Sequence, residues 1–207
     1  MWRTYRSRVR LRSVCVFCAS SPGVDPALVD VARSVGAELA RRGIRVVYGG
    51  GGSGLMGALA DGALGEGGEV VGIIPGFMVD REWGRQDLTE LHVVDSMHER
   101  KALMAEHADA FLVLPGGIGT LEEFFEVWTW RQIGLHATPI ALLDAPTESG
   151  DGFWQPLLSA LRGIYEAGFV SEASLSDVIV APTLVAALDG LVEGAAAGQT
   201  RILRPGS

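Results

Sequence analysis

Residues 108–128 read ADAFLVLPGGIGTLEEFFEVW, and the chain's chemistry is most concentrated here. A short apolar run, 111–114, stops at Pro115-Gly116-Gly117. Gly119-Thr120 then leads into a helical pattern whose apolar face is Phe124, Phe125, Val127 and Trp128. The spacing predicts strand, tight glycine turn, helix. Glycine lets the main chain approach a ligand closely, and a helix N-terminus offers N–H groups with a partial positive charge. The guest such a turn favours is an anion, most often phosphate. Glu123 falls at the start of the helix, where a carboxylate meets whatever the loop holds. Thr120 and Glu123 also have the S/T-x-x-E spacing of a capping box, so a purely structural role for Glu123 stands beside the chemical one. Glu122 points about 100° away around the helix and cannot share the task. Glu126 is on the face of Glu123 but a turn deeper and reads as a polar-face residue.

A second element is Ser96-Met97-His98-Glu99-Arg100-Lys101. Ser96 and Glu99 form a capping box by spacing, which leaves Arg100 and Lys101 in the first turns of a helix. Cations there oppose the helix dipole at a cost of a few tenths of a kcal/mol. Two of them side by side suggest an anion outside, against the alternative of a solvated basic pair. Arginine outnumbers lysine sixteen to one, and the single lysine is Lys101.

The third element is Gly49-Gly50-Gly51-Gly52-Ser53-Gly54, continuing as Leu55-Met56-Gly57. Residues 52–57 match G-x-G-x-x-G, but the match follows the second strand rather than the first. The acid expected about 20 residues on is missing, since that region reads Ile73-Ile74-Pro75-Gly76-Phe77. A nicotinamide cofactor is therefore disfavoured. A phosphate- or sugar-binding turn fits better, with helix–sheet packing as the structural alternative. His92, His98, His107 and His136 lack metal-ligand spacing, and neither a nucleophile elbow nor a Walker A sequence occurs, so no metal or cofactor is expected.

These turns need a frame. Apolar runs at 14–18, 44–48, 70–74, 91–94, 111–114, 139–143 and 178–180 read as strands. They alternate with helical patterns at 25–42, 55–64, 96–107, 121–135, 154–167 and 183–191. Such alternation predicts an α/β fold, a Rossmann-like open parallel sheet with helices on both faces, as a single domain over 13–192. Residues 1–12, with five arginines and no acid, and residues 193–207 read as loose tails. In open parallel sheets ligands sit beyond the strands' C-terminal ends, where Ser20-Ser21-Pro22-Gly23 and every glycine turn above would lie. The segment 77–90 is irregular and reads as a loop or short helix.

The totals bound the function. With 207 residues, 48% hydrophobic, the chain suffices for one full core. A net charge of −8 argues against nucleic acid as a partner, and no apolar run approaches the roughly 20 residues of a membrane span. Cys15 and Cys18, three apart in a strand, point to opposite faces and read as small buried hydrophobes of a reduced, cytoplasmic protein.

Three ordered motifs now carry a resemblance. Pro115 to Glu123 fits PGGxGTxxE, Met97-His98-Glu99-Arg100-Lys101 fits MHxRK, and residues 49–57 fit GGGxxGLMG. Over 14–180 the chain resembles the Lonely Guy family of cytokinin riboside 5′-monophosphate phosphoribohydrolases, long labelled "lysine decarboxylase-like". The resemblance implies a Rossmann-like, commonly dimeric enzyme. It would hydrolyse the N-glycosidic bond of N6-modified adenosine monophosphates, releasing free base and ribose 5-phosphate. It also implies Arg100 and Glu123 as the catalytic pair. The implied substrate-binding positions are Glu82, Lys101, Gly116, Gly117, Ile118, Gly119, Thr120 and Thr129, with Ser20 and Gly51 on the neighbouring turns. The alternatives are AMP or another nucleoside monophosphate as substrate, and a non-catalytic nucleotide-binding module. Decarboxylation by pyridoxal phosphate would require Lys101, which belongs to the basic pair.

Overall fold

A computed structural model describes residues 10–79, 84–147 and 149–202, with nothing to be said of the side chains at 199–202. The chain opens with β1 (Ser13–Phe17), buried along almost its whole length as a central parallel strand must be. Asp25 caps α1 (Pro26–Arg41), its carboxylate accepting the Ala27 N–H at 2.8 Å, with Pro26 at the first helical position. Gly43, at φ 64°, turns the chain into β2 (Arg45–Tyr48). There follow α2 (Gly54–Gly65), β3 (Val70–Pro75), the short α3 (Gly76–Val79), β4 (Glu90–Val94), α4 (Met97–Glu106), β5 (Phe111–Val113) and α5 (Ile118–Gln132). The last part of the chain forms β6 (Ile140–Leu143), α6 (Gln155–Glu166), the short α7 (Glu172–Ser176), β7 (Val178–Ala181) and α8 (Leu184–Ile202).

All strand pairs are parallel, in the order β4-β3-β2-β1-β5-β6-β7. The chain winds outward from β1 in both directions, so β1 and β5 flank the point where the order reverses, with Cys15 level with both Val47 and Phe111. Open sheets bind their ligands at that crevice. Helices α1, α2 and α8 bury one face of the sheet, and α4, α5 and α6 the other. The expected fold class is thus the observed one. Cys15 and Cys18 are free, buried and on opposite faces, as their spacing required.

Two differences from the sequence reading have simple causes. Helix α8 runs through the segment read as loose, as far as Ile202, with Gly194 over Pro139 and Gly198 over Ala137. The stretch is alanine-rich, and alanine has the highest helix propensity. Leu11, placed in the N-terminal tail, is buried in the core, and Asp109 fastens the chain there by accepting the Arg12 and Ser13 N–H groups.

Helices α1 and α2 touch main chain to main chain. A Cβ at Gly36 would overlap the Leu59 carbonyl, and one at Gly62 the Arg33 carbonyl. The absence of side chains at both points brings α2 down onto α1 and fixes where its first turn sits.

Candidate functional site

A cavity of about 540 Å³ opens at the C-terminal edge of the sheet. Its wall on the β5 side is the turn into α5. Gly117 is the N-cap of that helix and no side chain caps it, so the first-turn N–H groups have no intrahelical partner. Beside Gly117 and Gly119 there is open space, and Ile118 is 88% exposed, so the loop presents main chain to the cavity. Gly116 faces the other way: a Cβ there would overlap the buried Thr120 hydroxyl. That contact draws the turn tight beneath the loop.

The opposite wall is the turn after β2. It is tied to the turn after β1 by the Ser53 hydroxyl donating to Ser20 O at 2.7 Å and the Met56 N–H donating to Ala19 O at 3.1 Å. Ala19 N–H in turn donates to Pro115 O at 3.3 Å, so the three turns are stitched together by main chain. Gly54, at φ 58°, has the carbonyls of Ser20 and Ser21 where a Cβ would stand. Ser20 and Gly51 line the cavity. Cys18, Met56, Ile74 and Met78 line it too. Nothing in the spacing of these apolar residues separates a cavity wall from packing.

At the cavity's inner end stand Arg100 and Glu123, each 5% exposed. The Arg100 guanidinium is seated on main chain: Nε donates to Ile73 O at 3.1 Å and Nη2 to Gly49 O at 3.3 Å. A Cβ at Gly49 would overlap Nη2, so only glycine leaves room for this seat. Nη2 lies 3.6 Å from Glu123 Oε1, close enough for charge attraction but too far for a hydrogen bond. Burial is the largest influence on Glu123 and raises its pKa; Arg100 lowers it only in part, and the carboxyl is pushed up to about 7. The Cys15 and Cys18 thiols behind it are held well above their ordinary value, first by burial and then by the Glu123 charge. They stay neutral.

The geometry removes the capping reading of Glu123. Helix α5 starts at Ile118, so Thr120 is its third residue and Glu123 its sixth, beyond reach of the cap. The sequence reading placed the start later because Gly117, an acceptable N-cap, carries no side-chain signal. At Ser96 half of the capping box forms: Ser96 Oγ accepts the Glu99 N–H at 3.1 Å, while Glu99 reaches past the cap and accepts the Asp95 N–H at 2.9 Å.

Lys101 is placed otherwise than expected. It does not line the cavity. Consecutive helix positions diverge by about 100°, and the ammonium points into the seam between α4 and α5, hydrogen-bonded to Glu122 and 2.9 Å from Glu126 Oε2. Burial pulls its pKa down, but the two carboxylates outweigh it and hold the ammonium above its ordinary value. The pair Arg100–Lys101 therefore does not face one anion. Thr129 is exposed on α5 well beyond the cavity-lining turns, outside the cavity lining. Glu82 lies outside the described residues. Among the described residues no group of three or more His, Cys, Asp or Glu is arranged to hold a metal, and no helix is long and apolar enough to cross a membrane.

Residues 56–191 match the family model described as "possible lysine decarboxylase". The chain is 46% identical over 184 residues to the cytokinin riboside 5′-monophosphate phosphoribohydrolase of Rhodococcoides fascians, covering 88% of this chain and 90% of that one. It is 44% identical over 176 residues to the enzyme of the same name, LOG, from Oryza sativa subsp. japonica, covering 85% and 71%. Among solved structures, the molybdenum cofactor binding protein of Rippkaea orientalis superposes with a TM-score of 0.61, covering 94% of this chain and 99% of that one. At 18% identity that likeness concerns the fold alone.

Proposed function

Because the chain belongs to the Lonely Guy family of cytokinin riboside 5′-monophosphate phosphoribohydrolases, we propose that it hydrolyses the N-glycosidic bond of N6-modified adenosine 5′-monophosphates, giving free base and ribose 5-phosphate. One observation carries the site assignment: a buried carboxylate, Glu123, and a buried guanidinium, Arg100, share the inner end of a cavity whose rim is a helix N-terminus.

The bond defines what the residues do. Breaking C1′–N9 sends the bonding pair to the base, which takes a proton, and leaves oxocarbenium charge on the ribose. The ionised Glu123 stabilises that charge in a site shielded from water and takes a proton from the water that adds at C1′. Arg100, fixed on two carbonyls, holds an oxygen of the sugar or phosphate against the carboxylate. The 117–120 turn binds the phosphate with its N–H groups. Gly117, Ile118, Gly119, Thr120, Ser20 and Gly51 thus form the substrate-binding set supported by this geometry, with Gly116 behind it. Thr129, Lys101 and Glu82 remain family-based assignments.

Decarboxylation, the activity in the family model's description, would need a free lysine amine for a Schiff base. Lys101, the sole lysine, is clasped by two carboxylates away from the cavity. The protein is proposed to be a cytoplasmic homodimer. Supporting the dimer, α5 buries Phe124, Val127 and Trp128 against the sheet and still leaves Phe125 and, just after the helix, Ile133 exposed.

The test is chromatography of free base released from a panel of N6-substituted and plain adenosine monophosphates, with the matched nucleosides as controls. Base is expected from the monophosphates, with N6-substituted ones preferred and kcat/KM for nucleosides lower by tenfold or more. Equal values with and without phosphate would remove the phosphate from the turn, and no turnover of any nucleotide would leave a binding module.

A further inference from the structure

We infer that Arg85 is a positioning residue for this reaction, holding in place the glycine turn on which Arg100 is seated. The inference rests on the hydrolase reading for its kinetic arm only. A turn of four consecutive glycines has no side chains with which to fix its own shape and the widest conformational freedom of any sequence. Its shape must be imposed from outside. On one side this is done by Ser53 and Met56, which bond to the turn after β1. On the other side it is done by residues 84–85. Gly84 pairs with Gly51 in an isolated antiparallel bridge, and the Arg85 N–H donates to Gly50 O at 3.0 Å. Gly50 is the immediate neighbour of Gly49, whose carbonyl receives Arg100.

The Arg85 side chain is what keeps residues 84–85 there. Nη1 donates to Gly57 O at 3.1 Å and to Asp61 Oδ1 at 2.6 Å, both on α2. Nε and Nη2 grip both oxygens of Asp87, at 2.5 and 2.8 Å. The guanidinium therefore bridges a rigid helix and the loop that covers the turn, with charge-assisted, partly bidentate bonds that a lysine cannot reproduce. Arg85 does not line the cavity. It acts through Gly50 and Gly49 on Arg100, and so on the distance between Arg100 and Glu123.

The test uses the full chain with Arg85→Ala, Arg85→Lys and, as a control, Arg33→Ala, which removes another partner of Asp61 without touching the turn. Hydrogen–deuterium exchange is followed in peptides covering 49–57, and base release is measured against pH. Arg85→Ala is expected to speed exchange in 49–57 severalfold and to lower kcat by about 10- to 100-fold, the scale on which misplacement of about 1 Å is felt. It should also move the pH limb belonging to Glu123 upward. The charged and titratable groups facing Glu123 are Arg100 and Lys101 from α4, Glu122 and Glu126 on its own helix, and the Cys15 and Cys18 thiols near β1. Of these, only Arg100 is seated on the turn. Arg85→Lys should fall between wild type and Arg85→Ala, and Arg33→Ala should match wild type. Unchanged exchange in 49–57 overturns the inference, as does wild-type kcat and pH limb with only a lowered Tm. If wild-type protein releases no base, the hydrolase reading fails, while the exchange arm still decides whether Arg85 holds the turn.

Discussion

Arg100 and Lys101 are adjacent on α4, and Glu123 and Glu122 are adjacent on α5, yet the two contacts they make across the same pair of helices behave oppositely. Arg100 has main-chain carbonyls for its hydrogen bonds and reaches Glu123 only as a charge at 3.6 Å. Glu123 is left buried and under-compensated, and its pKa rises to about 7. Lys101 is engaged by two carboxylates, one of them half exposed, and stays firmly charged. One contact keeps a group poised to change its protonation near neutrality, and the other keeps a seam closed. A charge contact becomes reactive when the cation spends its hydrogen bonds on the main chain, and mechanical when the carboxylates themselves take them up.

The sharpest way to break this contrast is Glu123→Gln. The substitution keeps the shape and removes the charge, and kcat is expected to fall by about 10²–10⁴, with KM changed less. Base-release kinetics within about threefold of wild type would return Glu123 to a structural role, despite its place beyond the helix cap. Next comes Arg100→Lys, which keeps the charge and loses the fork seated on two carbonyls. A fall of about 10²-fold in kcat/KM is expected from misplacement alone.

The pH dependence sharpens the same comparison. The Glu123 pKa is raised on folding, from the ordinary carboxylate value of 4.5 to about 7. Between those values the folded chain holds a proton that the unfolded chain has lost, so stability falls as pH rises through this window and is flat above it. Wild-type Tm should therefore decline from pH 5 to 7.5 relative to Glu123→Gln. Parallel Tm curves would show that the buried carboxyl is not raised. Activity should move the opposite way, rising with pH toward a limb near 7, because the ionised form does the work. The smallest kinetic effect belongs to the seam. Lys101→Met is expected to lower Tm by several degrees with kcat within about fivefold of wild type, since removing one partner of a buried pair costs stability first. Glu122→Gln should be within about twofold in kcat. A large kcat loss from Lys101→Met with Tm unchanged would place Lys101 at the substrate after all.

The fold was legible because parallel strands buried on both faces read as unbroken apolar runs, and the three turns because glycine clusters have few other uses. Arg100 and Glu123 were legible as motif positions, and the structure brings them together. The seat of Lys101 in the seam between α4 and α5 was hidden for want of one quantity, the rotation of the two helices against each other, which no local pattern contains. The true start of α5 was hidden because a glycine N-cap leaves no side-chain mark. Met56, Ile74 and Met78 were hidden because an apolar residue facing a cavity and one facing a core look the same in sequence. The length of α8 was missed because alanine and glycine read together as slack, whereas here alanine prevailed.

The seat of Arg100 is made of two main-chain carbonyls beside a glycine that leaves no room for a further atom. This has a consequence for anyone mapping the protein by substitution. A scan to alanine deletes side chains, and the seat has none to delete, so such a scan would pass over the floor of the site as though nothing were there. At Gly49 alone the same scan adds a carbon, directly against the guanidinium. The support of the reactive pair is thus invisible to subtraction and exposed by addition, and its most sensitive position is one that a conventional scan would count as its mildest change.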